Sequence, residues 1–312
     1  MSRIRVAVAG AGAFGRHHLR VLRDLPRAEL VAVVESDAAA EFSCQALGDW
    51  RELAGRVDAA VVAVPTTAHA EVGCGLLEAN IDVLVEKPIA PDLASARRLA
   101  ETAQARGRIL QVGHLESFNP AVCAAREIIR LPLFFEIHRL SVFTPRSLDV
   151  DVVLDLMIHD IDIVLSLVGA MPEEIRAAGI SILSDKVDIA NVRLAFPTGC
   201  IANLTASRVS TEKVRKLRVF QPHQYISVDY GRQDATVIEV TPERKIGFRK
   251  LEVRRDEPLR LELEAFLGCV QTRSRPLVGG AEAMRALEAA LGVLAKIEEH
   301  ASIVSRSLAT LR

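Results

Sequence analysis

Along its first 120 residues the chain alternates short, unbroken apolar runs with segments of helical period. The runs fall at 4–9, 30–34, 59–64, 83–85 and 109–112. They are rich in Val and Ile and lack polar alternation, as strands buried on both faces of a parallel sheet do. Helical segments at 13–24, 68–79 and 92–106 separate them, the last opened by Pro91-Asp92 and stopped by Gly107. This repetition predicts right-handed crossovers and a doubly wound parallel sheet. From 133 to 253 the period changes to two. Runs at 135–140, 191–196 and 216–220 alternate apolar with polar residues, and Pro197-Thr198-Gly199 marks a turn. They predict an α+β domain whose open, mainly antiparallel sheet carries a helix at 151–168 on one face. Terminal helices near 259–272 and 281–303 are expected to pack back on the body. The segment 113–120 reads as the crossover, which sets domains of 1–118 and 119–312.

The first crossover carries Gly10-Ala11-Gly12-Ala13-Phe14-Gly15 between a strand and a helix. That context makes it a dinucleotide-binding turn of Rossmann type. Gly10 allows the tight turn, Gly12 lets a pyrophosphate approach, and Gly15 lets helix and strand pack. The N–H groups that open the helix, at Ala13 and Phe14, suit phosphate. Glu35 ends the second strand, 20 positions after Gly15, and Ser36 follows it. A carboxylate there accepts from ribose hydroxyls and repels a 2′-phosphate, so NAD is expected rather than NADP. Val64, Pro65, Thr66 and His69 follow the third long strand, and Glu86-Lys87-Pro88 follows the next. Both lie where open α/β sheets bind ligands.

Composition narrows the classes. Of 312 residues half are hydrophobic, and the formal net charge is −1. There is no global basic field for nucleic acid or an anionic membrane. The N-terminus lacks the order of a signal peptide, and no run reaches transmembrane length. The five cysteines are scattered, which argues against disulfides and zinc and for a cytoplasmic protein.

Taken together, the Gly10–Gly15 turn, the Val64–His69 segment and Glu86-Lys87-Pro88 resemble the glucose-fructose oxidoreductase / inositol dehydrogenase / MocA family. The resemblance spans almost the whole chain. It implies an NAD-dependent dehydrogenase acting on a carbinol, with Lys87 near the nicotinamide and the reacting hydroxyl, and a cis Lys87–Pro88 bond. The family pattern Asp-x-Gly-x-His-x-x-Asp matches Asp155-Leu156-Met157-Ile158-His159-Asp160-Ile161-Asp162, with Met157 in place of Gly. Met157 leaves the local backbone path open. Asp155 and His159 are i, i+4 on one helical face, and a carboxylate near an imidazole raises its basicity. The resemblance implies that they work without a metal. His159, oriented by Asp155 or Asp162, then accepts the hydroxyl proton directly or through Lys87. These two side chains are expected to meet over the nicotinamide.

His114, Glu116 and Asn119 in the crossover are expected to contact ligand, or to form only a hinge. Arg146 and Arg208 are the basic residues best placed to line a pocket. The strings at 113–120, 154–162 and 206–210 resemble the branch that oxidises the 3-hydroxyl of UDP-N-acetylglucosamine. That resemblance implies a nucleotide-sugar substrate, a downstream aminotransferase and a homodimer or homotetramer. A free sugar, an inositol or another cyclic polyol is the alternative substrate, and a non-catalytic NAD sensor or scaffold is the alternative of another class.

Overall fold

The structure is a computed structural model that describes residues 3–35, 42–144, 150–241 and 243–309. The chain opens with β1 (Ile4–Ala9), α1 (Ala13–Asp24), β2 (Ala28–Val34), β3 (Gln45–Leu47), β4 (Ala59–Val62), α2 (His69–Glu78), β5 (Asp82–Glu86), α3 (Leu93–Ala105) and β6 (Leu110–Gly113). It continues through α4 (Pro120–Arg126), β7 (Phe134–Val142), α5 (Ile158–Val168), β8 (Glu174–Ile180), β9 (Ile189–Ala195), β10 (Ile201–Ser210) and β11 (Val214–Gln221). It closes with β12 (Gln224–Asp229), β13 (Asp234–Val240), β14 (Ile246–Lys250), α6 (Pro258–Thr272) and α7 (Gly280–Ala309). Two compact units result, one of Met1–Phe118 with Asp256–Met284, the other of Asn119–Arg255 with Arg285–Arg312.

The first unit is built on a parallel sheet of order β3-β2-β1-β4-β5-β6. Its inner strands β1, β4 and β5, with β6, are buried on both faces almost throughout, as the unbroken runs require. Val21 and Leu22 of α1 and Leu263, Phe266 and Leu267 of α6 share a core with Val6, Val8, Val61 and Leu84. The sequence boundary assigned 256–284 to the second domain; the structure returns this segment to the first unit. Arg273, just past α6, fixes the return by bonding both oxygens of Asp82 at 2.5 and 3.1 Å. Strand β3 and the 3₁₀ turn Trp50–Leu53 were not foreseen, being too short to set a period.

The second unit holds a sheet of order β14-β13-β12-β11-β7-β10-β9-β8. Its neighbours are antiparallel except for the parallel pair β7–β10. Helices α4, α5 and the later part of α7 bury Val122, Ile161, Val164 and Val293 in one core with the inward residues of the strands. The expected regular helix at 151–168 starts instead with a π-helical turn over Val153–Met157, closed by Ile158 N–H donating to Val153 O. Met157 is fully buried there.

Asp188 sits ahead of β9 and anchors the turn before it. Its buried carboxylate accepts from the N–H groups of Ile182 at 2.7 Å, Leu183 at 2.6 Å and Ser184 at 3.0 Å, and from the Ser184 hydroxyl at 2.7 Å. Burial alone would raise its pKa, but these donors together hold it at about 2. The folded pKa lies below the ordinary value, so the stabilisation is present above the ordinary carboxylate range and is lost as pH falls toward 2. Asp188→Asn should lower unfolding free energy near neutrality by about 1–3 kcal/mol. Urea melts at falling pH should show that gap shrinking below about pH 4; a gap of constant size would contradict the assignment.

Candidate active site

At the carboxyl edge of the parallel sheet, Gly10 has φ +94°, and a Cβ there would lie 2.6 Å from Ala63 O. A Cβ on Gly15 would sit 1.9 Å from Gly10 O, so no side chain fits. Above Gly12 a Cβ would meet nothing within 4 Å, which leaves the turn open on its outer side. Gly12 is the N-cap of α1, and no side chain caps that helix. The N–H groups that open α1 at Ala13 and Phe14 are therefore available to phosphate oxygens. Glu35 follows β2, and its Oε2 accepts from Ala11 N–H at 2.8 Å. An open, uncapped, positive helix end with a carboxylate beside the turn fits an NAD pyrophosphate and ribose. Ser36 lies outside the described residues.

Val64, Pro65 and Thr66 lead from β4 through a short 3₁₀ turn into α2. His69 is buried, with its ring nitrogens 2.9 Å from Pro88 O and 3.0 Å from Val64 O. It straps the loop after β4 to the loop after β5. Burial pulls its pKa below the usual imidazole value, although the two carbonyls oppose that shift. A neutral ring carries one N–H, so one of the two carbonyls accepts it and the other packs against the ring.

Glu86 ends β5, and Lys87 follows it through a cis Lys87–Pro88 bond. One Glu86 oxygen lies 2.6 Å from His18 Nε2, and the other accepts from Lys87 N–H at 3.3 Å. Burial alone would raise this carboxyl, but His18 and then the Lys87 charge hold it below its ordinary range. Gly113 of β6 makes room for it, since a Cβ there would come 3.0 Å from Glu86 Oε2. His114 and Glu116, next along the same unit, are both buried. Sequence reasoning missed His18. Its signal is a polar residue inside the buried stripe Gly15, His18, Val21, Leu22 of α1.

In the second unit Asp155 lies in the π turn and His159 in the first turn of α5, with His159 buried. The register of α5 is set one residue on. Asp160 accepts from Arg139 Nε at 2.6 Å and Nη2 at 2.8 Å, and from Tyr230 OH at 2.9 Å. Because Arg139 belongs to β7, this buried bidentate pair pins the start of α5 to the sheet. Asn119, expected to touch ligand or act as a hinge, serves the fold. Its Oδ1 caps α4 at Ala121 N–H, 3.1 Å away, and its Nδ2 donates to Tyr230 O at 3.1 Å. Arg208 donates to Val150 O and lies 3.8 Å from Asp188, so it braces the residues just ahead of the π turn. Arg146 lies outside the described residues.

Two family models match the chain: the oxidoreductase family with NAD-binding Rossmann fold over residues 4–114, and the GFO/IDH/MocA C-terminal domain over 136–224. A UDP-N-acetylglucosamine 3-dehydrogenase of Acidithiobacillus ferrooxidans is 34% identical over 96% of this chain and 98% of the relative. A solved structure of that organism's UDP-N-acetylglucosamine 3-dehydrogenase GnnA superposes with TM-score 0.90 at 33% identity, covering 96% of this chain and 99% of the other. A myo-inositol 2-dehydrogenase of Thermotoga maritima is 28% identical over 96% of this chain and 98% of its own length.

Gly15→Ala should abolish measurable NAD(H) binding while leaving the second unit folded. Glu35→Ala should weaken NAD(H) by about tenfold and narrow its preference over NADP(H), since one charge-assisted contact and one repulsion are lost together. Isothermal titration with both cofactors checks each variant. Unchanged affinity for NAD in both would remove the cofactor from this turn.

Proposed function

Because the chain belongs to the GFO/IDH/MocA oxidoreductase family, we propose that it oxidises the 3-hydroxyl of UDP-N-acetylglucosamine to the 3-keto sugar, with NAD as acceptor. The observation that carries this reading is the position of Lys87. It leaves β5 at the carboxyl edge where the glycine turn leaves β1 and Glu35 leaves β2. The substrate follows from similarity along nearly the full chain to the Acidithiobacillus enzyme.

Bound NAD supplies the acceptor for the hydride that leaves the carbinol carbon. Lys87 polarises the hydroxyl oxygen, and Glu86 holds the backbone from which Lys87 extends. His159, its ring oriented by Asp155 or Asp162, takes the hydroxyl proton directly or by way of Lys87. His114, Glu116 and Arg146 are proposed to contact the sugar nucleotide. The 3-keto product suits an aminotransferase, which would replace the ketone by an amine.

Cys44, Cys74, Cys200 and Cys269 are free thiols, which fits a cytoplasmic setting. Exposed Ile246 and Phe248 on the edge strand β14 offer apolar surface for a homodimer or homotetramer. Among the described residues no helix is long and apolar enough to cross a membrane. A free cyclic polyol is the second reading, favoured by similarity to the Thermotoga inositol dehydrogenase along the chain.

Lys87→Ala and His159→Ala should each lower kcat by roughly 10²–10⁴-fold, the span of lost acid–base catalysis. NADH absorbance with UDP-N-acetylglucosamine, glucose and myo-inositol reads both rate and substrate. Full turnover in both variants would remove the catalytic assignment, and turnover on inositol alone would replace the substrate.

A further inference from the structure

The interior of the first unit holds a carboxyl group that neither the proposed chemistry nor an ion pair uses. Glu262 of α6 is wholly buried, within the stripe Leu259, Glu262, Leu263, Phe266. Neither of its carboxyl oxygens has a hydrogen-bond partner among the described residues. The Gln111 amide reaches only its backbone carbonyl, at 3.1 Å. Its ionic neighbour is Glu86, a like charge already joined to His18.

The elements packed against α6 carry little to neutralise a second anion. Helix α1 brings His18, engaged by Glu86, and Arg20, which pairs with Glu257 at the exposed start of α6. Strand β5, which shares a core with α6 through Leu84, brings Asp82, paired with Arg273, and Glu86 with Lys87 next to it; β6 brings Gln111 followed by His114, and the turn Leu115–Phe118 brings Glu116. A carboxylate taken from water without donors or a counter-charge takes up a proton. Burial and the Glu86 charge accordingly push Glu262 well above the ordinary carboxylate range.

We propose, on the reading of Lys87 given above, that Glu262 is a positioning residue for that lysine. Held as the un-ionised acid, it spares Glu86 the repulsion of a further buried charge and so keeps Glu86 on both His18 and the Lys87 N–H. When Glu262 loses its proton, a second negative charge faces Glu86 inside the core. One carboxyl must then move or recapture a proton, and either response loosens the backbone that carries Lys87. The placement of Lys87 thereby depends on pH through a side chain that does not touch substrate.

The sign of the effect is fixed. The folded pKa lies above the unfolded one, so the contribution of Glu262 is complete in acid and lost as pH rises through the folded value. Full-length wild type, Glu262→Gln and Glu262→Leu should be melted without cofactor from acid to alkaline pH, and their turnover followed over the same range. The Leu variant guards against a Gln that packs badly, since an apolar side chain suits the site. The melting temperatures of the variants relative to wild type should rise with pH. The ratio of kcat for Glu262→Gln over wild type should climb by at least about threefold from weakly acid to alkaline pH, as linkage to one proton allows. A melting difference or a kcat ratio that stays flat across pH overturns the proposal. Lys87→Ala measured alongside separates the two failures: full turnover there defeats the reading of Lys87, whereas an inactive Lys87→Ala with a flat Glu262→Gln ratio defeats only the role of Glu262.

Discussion

A buried carboxylate, that of Glu86, holds the first unit's site together. It reaches α1 through His18, the Lys87 turn through a backbone N–H, and β6 through the space left by Gly113. The helix that starts at the glycine-rich turn and the loop that carries Lys87 are thereby fixed to one another. An anion in such a place is tolerable only while its partners stay in reach, because a lone buried charge is far costlier than a paired one. The His69 strap, which ties the loop after β4 to the loop after β5, works in the same direction. The loops at the sheet's carboxyl edge are therefore held as a set.

The second unit reaches the same end with a different device. There the start of α5, with His159, is pinned by Arg139, Asp160 and Tyr230, and Asn119 connects α4 to Tyr230. The Arg139 guanidinium lies 4.9 Å from the Tyr230 ring centroid, so stacking adds to the ion pair. Neither network consists of the residues proposed to do chemistry. Both consist of their immediate neighbours, Glu86 beside Lys87 and Asp160 beside His159.

The sequence made the parallel sheet legible because its strands are buried on both faces and need no alternation; β1 and α1 fall where their apolar patterns place them. The π turn was not legible, since over five residues its period barely differs from that of an α-helix. Alternation gave the faces of the second sheet but carries no strand direction, so the parallel β7–β10 pair was hidden. The apolar stripe of α6 marks it as packed without saying against which sheet, so the return of 256–284 could not be read. At the site, the steric demands of Gly10 and Gly15 were readable because each meets a local backbone requirement. Asn119, His69 and Arg208 were harder. Polar residues near a crossover or strand end serve ligand and backbone alike, and only the bond partners separate the two.

The central claim is that Lys87 acts on a sugar hydroxyl beside bound NAD. The most direct measurement is a crystal structure of the chain with NAD and UDP-N-acetylglucosamine. The sugar 3-hydroxyl should lie within hydrogen-bond reach of Lys87 Nζ, with its carbon about 3–3.5 Å from the nicotinamide C4, a reactive separation. A sugar nucleotide bound elsewhere, or Lys87 turned away from the nicotinamide with both ligands in place, would contradict it.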